Sequence, residues 1–325
     1  MSSHIIEAEG LVKYYGKNKL PALENLTLSV KRGQIFTLLG RNSAGKTTFL
    51  RIATTQLLPT SGTVRVFGLD SKNGANEIRR RIAITPQEAK PLWTLNAYDH
   101  VLLALLMRGE TVGSASAKAR WVLETLELGE YAKVHSEELS GGLRQRILIA
   151  MTIACDVELM FLDEPTIGLD PVGRRKVWNE LIRLKEEEGK SIVLSTHYMD
   201  EAEALSDELA IIDHGHVLAS GSPAEVCSKH LGSKIRVDVA SGFSDSELET
   251  YGKVIKFGNL SRIFVDEVTA EKLSKDALAR KASISISPVT LDDVFVEIVG
   301  SGIEEDQSST DEDEEGSSRM GGMRP

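Results

Sequence analysis

Ile35-Phe36-Thr37-Leu38-Leu39-Gly40-Arg41-Asn42-Ser43-Ala44-Gly45-Lys46-Thr47-Thr48-Phe49-Leu50-Arg51-Ile52 is the stretch on which the fold turns. It opens as an apolar strand, passes through Gly40–Thr47, which fits G-x-x-x-x-G-K-[ST], and leaves as a helix. Strand, loop and helix in that order make a phosphate cradle. The glycines let the backbone wrap closely, so that N–H groups point at an anion, and the helix N-terminus adds partial positive charge. Lys46 is placed to reach the β- and γ-phosphates of a nucleotide, and the Thr47 hydroxyl to ligate Mg²⁺. Gly40, Arg41, Asn42, Ser43, Ala44, Gly45, Lys46, Thr47 and Thr48 are the candidate nucleotide-binding residues. The motif by itself leaves kinases, GTPases and ATPases open.

A second apolar strand, Leu159-Met160-Phe161-Leu162, ends in two acids, Asp163 and Glu164. The C-terminal edge of a buried strand is where open α/β sheets bind ligands. Asp163 there suits a Mg²⁺ site, directly or through water. The next side chain points elsewhere, which leaves Glu164 to orient or deprotonate an attacking water. His197 follows a third apolar strand, Ser191-Ile192-Val193-Leu194-Ser195-Thr196, and reads as a donor to the γ-phosphate. Leu139-Ser140-Gly141-Gly142 precedes a helix start at Leu143. A Ser N-cap followed by Gly exposes N–H groups and a hydroxyl, a further anion-binding element; an isolated S-G-G is no more than a helix cap.

The order of these elements is more specific than any one of them. Phosphate loop, Gln87 after a strand, L-S-G-G, apolar-Asp-Glu, Leu169-Asp170 and His197 together resemble the ATP-binding-cassette (ABC) ATPases over about residues 4–225. The resemblance implies an α/β P-loop NTPase fold with a helical insert, ATP and Mg²⁺ as cofactors, and ATP hydrolysis. It implies that Tyr15 stacks on adenine, with Tyr14 as the fallback, a role any aromatic can fill. It implies that Gln87 senses Mg²⁺ and water, and that Asp170 touches the opposite subunit. In this family L-S-G-G of one subunit closes over the ATP held by the other. A chain with one phosphate loop and one L-S-G-G is then expected to hydrolyse ATP as a dimer, with a second copy as partner and with Ser140, Gly141, Gly142 and Asp170 contacting nucleotide in trans. One departure is Leu143, where the family usually carries Gln; it removes one possible polar contact and leaves Ser140 and both glycines.

Outward from the motifs, the first half reads α/β. Strands are expected at Leu26–Val30, Gln34–Leu39, Thr63–Phe67, Ile82–Thr85, Leu159–Leu162, Ser191–Ser195 and Glu208–Ile212. Helical spacing at Tyr98–Arg108 and Ala115–Leu128 marks the insert, about 88–156. The ATPase domain is read as 4–232. A small α+β domain over 233–300 follows, with strands at Lys234–Ala240, Arg262–Asp266 and Ile284–Ser287 and a helix at Leu291–Val299. Residues 301–325, rich in Asp, Glu, Ser and Gly, are expected to be disordered, because they cannot bury enough apolar surface to offset conformational entropy.

The 325 residues carry 38 Lys+Arg against 48 Asp+Glu, a net charge of −10. The sign argues against nucleic acid as a partner, since sequence-independent binding needs a basic surface. Glu304, Glu305, Asp306, Asp311, Glu312, Asp313, Glu314 and Glu315 face only Arg319 and Arg324, so more than half of that charge belongs to the tail. Cys155 and Cys227 form no C-x-x-C and read as reduced thiols of a cytosolic chain. Met1-Ser2-Ser3-His4 has no signal-peptide pattern. The longest near-continuous apolar run, Ile147–Cys155, is far below the ~20 residues of a membrane span.

ABC ATPases mostly power transporters, so the resemblance implies a peripheral subunit on the cytoplasmic face of the membrane, docked on separate transmembrane permease subunits. The expected docking groove lies between Gln87 and the insert, near Trp93, Leu95 and Tyr98. The ends of the two domains, Val217-Leu218-Ala219-Ser220-Gly221-Ser222-Pro223-Ala224-Glu225 and Thr290-Leu291-Asp292-Asp293-Val294-Phe295-Val296, look like ABC-2-type exporters of the daunorubicin-resistance group. The alternative is a soluble ABC ATPase acting on a macromolecular assembly. Its DNA-repair form needs a long coiled coil and its translation form needs two cassettes; this chain has neither pattern.

Overall fold

The computed structural model describes residues 3–16, 20–232 and 234–299. The expected disordered tail, 301–325, lies outside the described residues. By compactness the chain divides between Pro223 and Ala224 into two units.

The first unit holds two sheets. The larger has six strands in the order His216–Gly221, Glu208–Asp213, Ile35–Leu39, Ser191–Thr196, Leu159–Asp163, Ile82–Thr85. All neighbours pair in parallel except the hairpin His216–Gly221 with Glu208–Asp213. A four-stranded antiparallel sheet runs Leu23–Lys31, His4–Lys13, Ser61–Val66, Leu69–Asp70.

Alternation along the buried strands feeds two cores. Phe161 and Val193 join Ile5, Leu26 and Phe49, and so tie the parallel sheet to the antiparallel sheet and the helix Lys46–Ala53. Met160, Leu162, Ile192 and Leu194 face the other way, onto the helices Ala97–Met107, Val112–Thr125, Gly141–Ala154 and Pro171–Glu188. The three helices between 97 and 154 are the expected insert. Asn96 and Thr111 accept the amides of Asp99 and Ser114, so the first two start before the expected Tyr98 and Ala115.

Strand His4–Lys13 was not among the expected strands. Its register against Leu23–Lys31 shifts between Ala8 and Leu11, around Gly10, so its apolar residues do not keep a period of two.

The second unit is a βαββαβ arrangement: Ile235–Ser241, helix Asp245–Leu248, Val254–Phe257, Leu260–Val265, helix Glu267–Arg280, Ser283–Pro288. All its strand pairs are antiparallel, with Ile235–Ser241 central between Leu260–Val265 and Ser283–Pro288. Residues 291–299 are helical. That helix is pinned by charge: Asp293, its side chain fully buried, accepts from Arg262 Nη1 at 2.8 Å and Arg236 Nη1 at 3.1 Å. It also accepts from the backbone N–H of Thr290 at 3.0 Å. Removing the carboxylate takes one acceptor from each guanidinium, while Asp238 still pairs with both Arg262 and Arg236. Asp293→Ala is predicted to destabilise this unit by about 1–3 kcal/mol, the scale of lost buried hydrogen bonds, read by denaturant unfolding of the full chain; an unchanged midpoint would show that Asp293 adds nothing to the network.

Candidate functional site

The parallel sheet decides which residues meet. Pairing sets Asp163 opposite Ser195 and Leu39 opposite Thr196, so the loops after three adjacent strands open at one edge. The loop Gly40–Gly45 turns there because two of its positions exclude side chains. A Cβ on Gly40 would lie 2.2 Å from the Ile212 carbonyl oxygen. Gly45, at φ +111°, caps the helix Lys46–Ala53 with no side-chain hydrogen bond, which leaves the first N–H groups of that helix to a ligand.

Lys46 folds back over the loop. Its Nζ donates to the carbonyls of Gly40 at 2.7 Å and Arg41 at 3.0 Å, and stands 3.2 Å from Glu164 Oε1. Both side chains are nearly out of solvent, 5% and 3% exposed. The other carboxylate oxygen of Glu164 is 2.7 Å from His197 Nδ1. Lys46, Glu164 and His197, from three separate segments, therefore form one line, an ion pair on one side of the carboxylate and a hydrogen bond on the other.

Glu164 reaches that position from a left-handed backbone, φ +53°, unusual for a residue with a side chain. Its N–H is held by Ser195 through both the carbonyl and the hydroxyl, each at 3.1 Å. The Ser195 hydroxyl donates in turn to Asp163 Oδ1.

Thr47 Oγ1 donates to the same Asp163 oxygen at 3.2 Å. A hydroxyl and a carboxylate thus converge beside the loop, a hard oxygen donor set that fits Mg²⁺. Burial pushes the Asp163 carboxyl up, while hydrogen bonds from Ser195 and Thr47 oppose that shift.

A pocket of about 300 Å³ is lined by Asn42, Ser43, Ala44, Gly45, Lys46, Thr47, Thr48, Gln87 and Glu164, with Ala22. The Tyr15 hydroxyl lies 3.2 Å from Thr48 Oγ1, and Lys13 Nζ sits 5.5 Å from the Tyr15 ring centre. Tyr15 and Tyr14 are equally exposed, 38% each.

Ser140, Gly141, Gly142 and Asp170 are not among the residues lining this pocket. Ser140 caps the helix Gly141–Ala154 by accepting from Leu143 N, and Asp170 caps Pro171–Glu188 by accepting from Gly173 N. Both caps are exposed, and a Cβ on Gly141 would meet nothing within 4 Å.

Residues 23–167 match the family model described as ABC transporter. The chain is 37% identical over 244 residues to the daunorubicin/doxorubicin resistance ATP-binding protein DrrA of Streptomyces peucetius, covering 75% of this chain and 73% of that protein. The chain belongs to the ABC transporter family.

A Nod factor export ATP-binding protein I of Ralstonia nicotianae is 37% identical over 238 residues, 72% of each chain. Among solved structures, a dimeric post-hydrolysis state of an ATP-binding cassette bound to ADP and Pi superposes with a TM-score of 0.63 at 26% identity. It covers 67% of this chain and 98% of that one. The first unit is therefore an ABC ATPase cassette, and the chain is an ATP-binding ATPase. Among the described residues of this ABC protein no helix is long and apolar enough to cross a membrane.

Two features of the ABC site escaped the sequence reading. Ser195, which clamps both acids, sits two residues before His197 in a strand whose apolar run drew attention away from its hydroxyl. The Lys46–Glu164 pair joins residues more than a hundred positions apart and has no local signal. At the surface expected near Trp93, Leu95 and Tyr98, Trp93 stands 54% exposed. Tyr98 packs against the insert's core and shares a hydrogen bond with Ser116. A larger groove, about 600 Å³, runs past Ile82, Ile84, Ala104 and Met151 between Arg79 and Arg108.

Proposed function

We propose that this chain is the nucleotide-binding subunit of an ABC-2-type exporter, that it works as a homodimer, and that ATP holds the dimer closed until hydrolysis lets it open. The observation that carries the reading is the division of the site. Lys46, Thr47, Gln87 and Glu164 line one pocket, whereas Ser140, Gly141 and Asp170 stand exposed on helix caps outside it. Those caps suit the nucleotide of a second copy.

In this reading the loop amides and Lys46 hold the phosphates and Tyr15 takes the adenine. Glu164 receives a proton from the attacking water or orients it, and His197, its Nδ1 engaged by Glu164, offers its other ring nitrogen to the γ-phosphate. Thr47, Asp163 and Gln87 would hold Mg²⁺, which when bound neutralises charge on the phosphates.

The resistance and export named for the relatives support export as the task, with separate permease subunits as partners and a peripheral place on the cytoplasmic face of the membrane. The surface near Trp93, Leu95 and Tyr98 is the docking surface we assign to the permease, supported by the exposed Trp93 ring. The division into an ATPase domain, 4–232, and a small domain, 233–300, is part of the same proposal.

Lys46→Ala tests the binding half of the reading. It removes an ammonium that lines the pocket, and it takes from buried Glu164 its ion-pair partner, so ATP affinity measured by titration calorimetry should fall by about tenfold or more. Unchanged affinity contradicts the phosphate-loop assignment.

A further inference from the structure

Glu201 is completely buried and lies outside the pocket described above. Its Oε1 accepts two hydrogen bonds, from Thr166 Oγ1 at 2.8 Å and from Trp178 Nε1 at 2.9 Å. Its Oε2 is buried with no hydrogen-bond partner. The Thr196 hydroxyl, beside His197, also stabilises the charged form of this carboxyl; even so, stability alone would favour an apolar side chain of the same size in a core.

Its three attachments bear on the site. Thr166 belongs to the turn that leaves Glu164, and its carbonyl accepts from Leu169 N at 3.1 Å, one residue before Asp170. Trp178 belongs to Pro171–Glu188, the helix that Asp170 caps. Glu201 itself is on helix Met199–Leu205, directly after His197 and Tyr198.

A second tie runs parallel to it. Arg174, from the same helix as Trp178, donates to Asp200 Oδ2 at 3.1 Å and lies 4.4 Å over the Tyr198 ring, whose centre is 4.1 Å from that of His197.

We propose that Glu201 is a positioning residue for ATP hydrolysis: by gripping Thr166 and Trp178 through one oxygen, it locks the His197 segment to the segment that carries Asp170. The γ-phosphate donor and the residue facing the second copy then move as one body. The inference rests on the roles proposed above for His197 and Asp170. Burial pushes the Glu201 carboxyl up, and hydrogen bonds from Thr196, Trp178 and Thr166 oppose that shift.

Steady-state ATP hydrolysis by the full chain tests it. The amide oxygen of Glu201→Gln can accept the same two bonds, so kcat and the KM for ATP should stay within about twofold of the parent. Glu201→Ala leaves the hydroxyl and the indole N–H unpaired, and kcat should fall about tenfold with KM unchanged. Thr166→Val, which keeps the shape and removes one donor, should lower kcat about threefold and keeps the test open if the Ala variant does not fold.

A kcat split from KM and rescued by Gln supports positioning. Parental kcat in a folded Ala or Val variant overturns the proposal. So does a loss confined to KM, or an equal loss in the Gln and Ala variants. Failure of the underlying reading shows separately, as parental turnover in His197→Ala and in Asp170→Asn whatever the Glu201 series does.

Discussion

Glu164→Gln is expected to bind ATP as the parent does, to hydrolyse it about 10²–10⁴-fold more slowly, and to accumulate as an ATP-held dimer. The substitution keeps the side chain's shape in a site where it is 3% exposed and wedged between Lys46 and His197. The backbone strain at φ +53° and the two Ser195 contacts to its N–H do not involve the side chain, so the turn should persist. What is lost is the carboxylate: its basicity toward water and its negative charge beside the γ-phosphate. The first loss slows the chemical step; the second removes a repulsion and lengthens the life of the closed state. Phosphate release and size-exclusion chromatography in the presence of ATP measure the two effects. Near-normal turnover would remove Glu164 from the role assigned to it.

Ser140→Arg should abolish hydrolysis while sparing ATP binding by the single chain. Ser140 is exposed, and its hydroxyl does one local task, capping Leu143 N at 3.3 Å. Loss of that cap costs about 1 kcal/mol, too little to unfold the cassette. A long cation at the cap would instead obstruct the approach of the partner's nucleotide, with an expected fall in kcat of about a hundredfold or more, the scale of losing a preorganised donor site.

The decisive measurement mixes this variant with Lys46→Ala. The Ser140→Arg chain keeps an intact phosphate loop and the Lys46→Ala chain keeps an intact Ser140. A composite site is therefore rebuilt in the mixed dimer, and hydrolysis should return in part. No recovery on mixing, although each variant is folded and the dimer forms, contradicts the two-chain site.

The local parts of this site were legible in the sequence because their chemistry is local. Gly40 and Gly45 stand where side chains are excluded, Ser140 and Asp170 stand where helix amides need caps, and Asp163-Glu164 ends a run of apolar residues. Each is a constraint acting within a few residues, so a linear reading finds it. The small second unit was legible only in part. Strands near Lys234–Ala240, Arg262–Asp266 and Ile284–Ser287 were expected, whereas the helix Glu267–Arg280 was not, although Asp266 caps it by accepting from Thr269 N. Its surface is charged and its buried residues few, which leaves a weak apolar period.

By itself the sequence determined the strand–loop–helix that cradles phosphate, the order of the motifs and, through that order, the family. Tertiary structure alone decided that Lys46, Glu164 and His197 touch, that Ser195 clamps both acids, and that Glu201 joins the His197 segment to Thr166 and Trp178. The reason is register. Strands buried on both faces read as near-continuous apolar runs that name neither their neighbours nor their offset. In the parallel sheet Ser195 lies opposite Asp163, and a slip of one residue would turn its hydroxyl to the other face of the sheet. That offset is set by the packing of Phe161 and Val193 into one core and of Leu162 and Leu194 into the other, contacts that exist only once the chain has folded.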